Sequence, residues 1–235
     1  MGMVENRFSE DKLREGIRLF NLKRWKAALK ELLNIDAGQF SAEENTELAY
    51  YLGLCYMKLE RFDDALLYLE QVVTNSREPL RIYQCRLTLA YVYVITKRTK
   101  LAEFELDRLS KSGFESVQIY TTMGYAAWIQ KQYKEAVDYY EKALELDENS
   151  ATAMNCLGYI LADTNMDIAR GLRLCRKAVD RAPQNAAYLD SLGWAYYKSG
   201  DTQESRVWLR RAFELAPHNS VIRAHMRLVV VEERN

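Results

Sequence analysis

Small residues recur along this chain at nearly constant separations, and this recurrence limits the possible folds more than any other feature. Most of them follow a large apolar residue, and an apolar or aromatic residue usually stands three positions later. Their separations are 37, 37, 34, 34 and 35 positions. A second small residue follows each after 12 positions (13 in the fifth copy), and a large apolar residue follows four positions after that. The six first residues are Gly16, Gly53, Ala90, Gly124, Gly158 and Gly193.

Each repeating unit contains two apolar stripes at helical spacing, separated by a short polar turn such as 59–61 or 199–201. A glycine inside a helix costs about 1 kcal/mol relative to alanine, so its recurrence indicates a close crossing of two helices. One helical hairpin of this size cannot bury its own apolar faces, but stacked hairpins can. The spacing therefore predicts an all-α chain of stacked helix pairs.

These residues resemble the tetratricopeptide repeat family. The best copy begins at 188–197, a segment that reads YLDSLGWAYY, and continues through Ser205, Leu209, Ala212 and Pro217. The copies depart from the family pattern at Glu15, which replaces the large apolar residue, and at Glu148, which replaces the closing proline. The resemblance implies a right-handed superhelical solenoid of antiparallel helix pairs. We place an N-terminal tail at 1–8, six repeats at 9–42, 46–79, 83–116, 117–150, 151–185 and 186–219, and a capping helix at 220–235.

The resemblance also implies that the first helix of each unit lines a concave groove. The position after the small residue is aromatic in four successive units, and a second row lies one helical turn away on the same face. Aromatic residues at this spacing often pack between neighbouring units. The alternative to a binding surface is therefore that these rings belong to the core. We predict a groove that binds a peptide or protein segment of apolar or aromatic character, extended or helical. The predicted groove residues are Tyr91, Gln118, Thr122, Tyr125, Trp128, Asn155, Tyr159, Asp190, Trp194 and Tyr197.

Family members that bind the carboxylate tails of chaperones use lysine, arginine and asparagine at set positions of three successive first helices. In the last three units those positions hold Thr121, Tyr125, Cys156, Ala187 and Ser191, none of which is basic. The sequence therefore argues against binding of a carboxylate tail by the usual clamp.

The last helix suggests a second function. Its segment 228–231, LVVV, is apolar nearly all round. If the helix packs on the sixth unit this segment is core, but if it is exposed then Val229, Val230 and Val231 could join two copies of the chain. A self-assembling structural protein is thus the alternative to a scaffold or adaptor.

Composition narrows the remaining functions. Lys plus Arg and Asp plus Glu both number 33, so no net charge favours nucleic acid. Only two histidines occur, His218 and His225, both after the last complete helix pair, and no cluster has metal-ligand spacing. We therefore expect no enzymatic activity, cofactor or metal, and no membrane span. The four cysteines are expected to be packed free thiols, and the location cytoplasmic, or periplasmic or lipid-anchored if an N-terminal signal was removed.

Overall fold

The computed structural model describes residues 2–113 and 115–231 of the 235-residue chain. The regular elements of this described part are all helices, which confirms the all-α class. The chain divides into two compact units, Met1–Phe114 and Glu115–Asn235.

The first unit contains three consecutive helix pairs. Its helices are α1 (Gly2–Asn21), α2 (Trp25–Leu33), α3 (Ala42–Lys58), α4 (Phe62–Asn75), α5 (Pro79–Ile95) and α6 (Thr99–Lys111). Each helix packs on its pair partner, and the second helix of a pair packs on the first helix of the next. A short 3₁₀ helix, Ala37–Gln39, occupies the longer connection between α2 and α3.

The second unit contains three further pairs and one terminal helix. Its helices are α7 (Val117–Ile129), α8 (Tyr133–Leu146), α9 (Ala151–Asp163), α10 (Ile168–Arg181), α11 (Ala186–Lys198), α12 (Thr202–Leu215) and α13 (Ser220–Val231). The final helix packs on both α11 and α12. In the described residues the thirteen α-helices fit six helix pairs followed by one unpaired helix.

Three helices begin earlier than the repeat spacing predicts, and one of them is α3, which begins at Ala42 although its unit was placed at 46–79. Helix α1 begins at Gly2, so most of the predicted tail 1–8 is helical. Helix α5 begins at Pro79, before the unit boundary placed at 83, because proline lacks an N–H that the first helical turn would leave unbonded. Several other helices begin with a side-chain cap, as where the Asn219 side chain accepts from the Val221 and Ile222 amides.

The turn inside every helix pair contains one residue with a left-handed backbone. These residues recur at the separations of the small residues, and only the last is glycine, with φ 87° at Gly200. A residue with a side chain accepts this conformation at a cost of about 1–2 kcal/mol. The identical turn geometry therefore comes from helix packing and not from turn composition. The others are Lys23, Glu60, Lys97, Lys131 and Asn165.

The recurring small residues lie where the two helices of a pair cross. A Cβ at Gly53 would meet the Leu69 side chain at 2.8 Å, and a Cβ at Gly193 would meet the Leu209 side chain at 2.7 Å. Each glycine of the repeat thus contacts the large apolar residue that follows it in the pattern. At Gly158 the partner helix is closest, because a Cβ there would lie 2.8 Å from the Gly171 carbonyl oxygen.

The cysteines are free thiols in apolar surroundings. Cys55, Cys85 and Cys175 are buried, and Cys156 is half-buried. Burial raises the pKa of Cys55 to about 11 and that of Cys85 to about 12, and it also raises the pKa of Cys175. The pKa of Cys156 is raised to about 11, again by burial.

Gly158→Ala should lower the free energy of unfolding by about 2 kcal/mol, although alanine favours helix by about 1 kcal/mol. The added methyl would press on backbone atoms of α10, which cannot move without separating the helices. Urea unfolding followed by circular dichroism measures the loss. As a control, Arg173→Ala on the exposed face of α10 should change stability by less than about 0.5 kcal/mol. Equal stability of the two variants would contradict the close crossing.

The raised thiol pKa values predict slow chemical labelling of the folded protein. A free cysteine has a pKa of about 8.5, so at pH 8 a pKa of about 11 lowers the thiolate fraction by more than about a hundredfold. Labelling by a disulfide reagent at pH 8 should therefore be slower by about that factor than in urea. Between pH 8 and pH 10 the folded rate should keep rising, whereas the unfolded rate levels off. Equal rates in the folded and unfolded protein would contradict the burial.

Candidate functional site

Aromatic side chains of the second unit form one continuous series of ring contacts, which we call the aromatic ladder. Tyr125 stacks on Trp128 at a centroid distance of 5.7 Å, and Trp128 meets Tyr159 edge-on at 6.1 Å. At the other end Trp194 stacks on Tyr197 at 5.0 Å. These five aromatic residues were predicted for the groove, and the fold brings them together across α7, α9 and α11.

The imidazole of His225 on α13 joins the two ends of the aromatic ladder. It stacks on the Trp194 ring at 4.1 Å and lies 6.4 Å from the Tyr159 ring. Its Nδ1 is 3.0 Å from both carboxylate oxygens of Asp190. Both side chains are buried, with Asp190 6% exposed and His225 8% exposed. The buried pair of His225 and Asp190 therefore attaches α13 to α11, and the stacking of His225 on Trp194 adds a second contact between the same helices.

Sequence reasoning missed His225 because it placed the residue beyond the last complete helix pair. A signal was nevertheless present in the spacing. Asn155 and Asp190 hold the same position in successive first helices, 35 residues apart, and His225 follows Asp190 by another 35. Helix α13 therefore continues the register of the first helices by one further step.

A cavity of about 270 Å³ opens beside the first half of the aromatic ladder, and we call it the ladder cavity. Helices α7, α8, α9, α11 and α13 contribute its walls. Five predicted groove residues line it, namely Tyr125, Trp128, Asn155, Tyr159 and Asp190. Its remaining lining residues are Tyr140, Cys156, Ile160, Ala187, Ser191, Asn219, Val221 and Ile222.

Asn155 places an unusual atom at this cavity. Its side chain is 8% exposed, and its Oδ1 is buried without a hydrogen-bond partner among the described residues. Buried amide oxygens are nearly always bonded, because an unpaired one costs about 1–3 kcal/mol. An incoming donor could therefore gain a hydrogen bond here that the folded chain does not make.

The electrostatic character of the ladder cavity is negative. Among its described lining residues only Asp190 carries a formal charge, and neither lysine nor arginine is present. Burial raises the pKa of Tyr159, and the carboxylates of Asp163 and Asp190 raise it further. The carboxylate part of this effect favours a positive charge nearby, whereas burial disfavours a charge of either sign.

The other predicted groove residues lie apart from the ladder cavity. Thr122 is buried and donates its hydroxyl proton to the Gln118 carbonyl oxygen at 2.8 Å, while the Gln118 side chain is exposed. Trp194 donates its indole N–H to Asp163 at 2.9 Å and has one face covered by His225. Tyr91 belongs to the first unit and is 43% exposed.

The apolar segment 228–231 of α13 allows two interpretations, packing on the sixth unit or an exposed self-association patch. Val229 is fully buried, so it packs within the chain and does not belong to an exposed patch. The side chains of Val230 and Val231 lie outside the described part of the structure. Leu228 is 49% exposed.

The described residues lack two further features. None of their helices is both long and apolar enough to cross a membrane. In the same residues, no group of three or more His, Cys, Asp or Glu side chains is arranged to hold a metal ion.

Family profiles of the tetratricopeptide repeat match the chain at residues 47–77, 117–150 and 186–219. A TPR repeat-containing protein of Pseudomonas aeruginosa is 35% identical over 80 residues, which are 34% of this chain and 13% of that protein. The photosystem I assembly protein Ycf3 of Prochlorococcus marinus is 28% identical over 131 residues, which are 50% of this chain and 73% of that protein. The chain thus spans only a small part of the first relative.

Solved structures show the same fold. A tetratricopeptide repeat protein of Parabacteroides merdae aligns with a TM-score of 0.75 at 12% identity, covering 94% of this chain and 84% of that one. YrrB, a TPR protein with an unusual peptide-binding site, aligns with a TM-score of 0.52 at 19% identity, covering 82% of this chain and 98% of its own. These likenesses confirm the predicted solenoid of helix pairs.

His225→Ala should detach α13, because it leaves the Asp190 carboxylate buried without its partner. The expected loss is roughly 3 kcal/mol in the free energy of unfolding, with a red shift of tryptophan emission as the Trp194 face meets water. Thermal unfolding and fluorescence measure the two effects. His218→Ala is the matched control, since His218 is exposed in the turn before α13. A His225→Ala variant as stable as the control would contradict the docking role.

Proposed function

Since the chain is a tetratricopeptide repeat protein, we propose that its second unit binds a segment of a partner polypeptide in the ladder cavity. Such proteins generally mediate protein–protein interactions. Ycf3, which is similar to this chain, is named for the assembly of photosystem I, and YrrB for a peptide-binding site. We assign this general role to the ladder cavity.

The observation that supports the proposal is the half-buried state of the cavity's aromatic side chains. Tyr125, Trp128 and Tyr159 are neither enclosed in the core nor fully exposed. Buried residues such as Ile119 on α7 and Leu157 on α9 already form the core of the same helices. The aromatic rings are therefore available to a partner, and large rings with a polar edge suit protein interfaces.

The ladder cavity suits a short anchor segment, not a broad protein surface. Its volume of about 270 Å³ accommodates one large side chain. Packed helices lie about 8–10 Å apart, and an extended chain advances about 3.3–3.6 Å per residue. Roughly every third residue of an extended peptide would therefore reach a new helix. A carboxylate tail is disfavoured as the occupant, because Asp190 would repel it and no lining cation would offset the repulsion.

Removing the rings should abolish this binding. A double variant, Tyr125→Ala with Trp128→Ala, should lose binding of peptides selected by the wild-type protein from a random peptide library, by more than about tenfold in affinity. Fluorescence polarisation with the selected peptides measures the change, and circular dichroism checks that both proteins are equally helical.

The control variant is Phe213→Ala on α12, whose side chain is 37% exposed and lies away from the cavity lining. It should bind the selected peptides as the wild type does. If the double variant also retains its affinity, the ladder cavity is not the binding site. If the wild type selects no peptide at all, the proposed function itself fails.

A further inference from the structure

We propose that the ladder cavity takes an arginine side chain of the partner segment, with its guanidinium among Tyr125, Trp128 and Tyr159. This inference rests on the proposed function, since it names the anchor residue of the same bound segment. It commits to one chemistry, a planar cation on an apolar stem, where the sequence alone suggested an apolar or aromatic partner.

The walls of the cavity are suited to a cation. Three neighbouring aromatic residues line it, with ring-centroid distances of 5.7 Å between Tyr125 and Trp128 and 6.1 Å between Trp128 and Tyr159. The face of an aromatic ring is negative, and it attracts a guanidinium within about 6 Å of its centroid, with tryptophan the strongest. Arginine also stacks its plane on such rings and buries its apolar stem beside them.

The polar atoms of the cavity are suited to a donor. The Oδ1 of Asn155 is a buried acceptor without a partner in the described residues. The Asp190 carboxylate faces the same cavity, and its contact with His225 Nδ1 uses only part of its acceptor capacity. A guanidinium has five N–H donors in a fixed plane and can serve two separated acceptors at once.

The negative charge of the cavity favours arginine over leucine and phenylalanine as the anchor residue. Asp190 is the only formally charged residue among the described lining residues. The carboxylates of Asp163 and Asp190 both raise the pKa of Tyr159, one of the lining residues. A leucine or phenylalanine anchor would fill the space but leave the Asn155 oxygen unpaired and remove water from Asp190, and both effects cost free energy.

The experiment uses the full chain and small probes of defined chemistry. The probes are the Nα-acetyl methylamides of arginine, citrulline, lysine, leucine and phenylalanine. Citrulline has nearly the same shape as arginine but no charge, so it isolates the contribution of the cation. Titrations at millimolar concentrations are followed by the NMR signal of the Trp128 indole N–H, which is identified by its absence from a Trp128→Leu variant.

The arginine probe should bind about fivefold or more tightly than the citrulline probe, since a cation–π contact contributes about 1 kcal/mol or more. It should also bind more tightly than the lysine, leucine and phenylalanine probes. Trp128→Leu keeps an apolar wall but removes the ring, so it should weaken arginine binding more than leucine binding. Because this variant lacks the Trp128 indole, its titrations are followed by the backbone amide signals, which are also recorded for the wild type. Asn155→Leu should likewise weaken arginine relative to leucine.

Phe213→Leu, away from the cavity, should change none of these affinities, and circular dichroism identifies any variant that fails to fold. The comparison of arginine with citrulline needs only the wild-type protein, so the inference can be refuted without a variant. Citrulline, lysine, leucine or phenylalanine binding as tightly as arginine would overturn it, and so would the absence of any shift at Trp128. Peptides selected through the cavity but lacking arginine would refute this inference and leave the proposed function standing.

Discussion

The close crossing of two helices within each pair is the contact on which the rest of this structure depends. A residue without a bulky side chain in the first helix receives a large apolar side chain from the second, as Gly193 receives Leu209. This contact sets the distance between the helices and therefore the direction in which the first helix presents its other faces. Each pair repeats the same arrangement, so the faces away from the crossing align from one pair to the next within a unit.

The turns follow from this constraint and do not cause it. Five of the six turns place a lysine, glutamate or asparagine in a left-handed backbone conformation that such residues disfavour. Packing of the two helices over many apolar contacts outweighs that local cost. Gly200 is the only glycine among these six turns, yet the sixth pair has the same shape as the others. The same packing explains this.

The aromatic ladder shows how a repeated register can bring function-bearing residues together. Asn155, Asp190 and His225 occupy one position in the alternate helices α9, α11 and α13, and each has a different role. Asn155 offers an unpaired acceptor, Asp190 offers charge, and His225 attaches the terminal helix to the stack. Part of the predicted groove is thus covered by the chain itself, and the open part lies beside Tyr125, Trp128 and Tyr159.

The amino-acid sequence by itself determined the all-α class, the pairing of helices and the row of aromatic residues in the second unit, because these follow from periodicity and spacing along the chain. It did not determine that His225 stacks on Trp194, that Val229 is buried, or that the Asn155 oxygen lacks a partner among the residues that the structure describes. Those outcomes depend on where α13 docks, and docking depends on contacts between residues 35 positions apart. Spacing reveals which face a residue occupies, but only the tertiary structure decides what lies opposite that face.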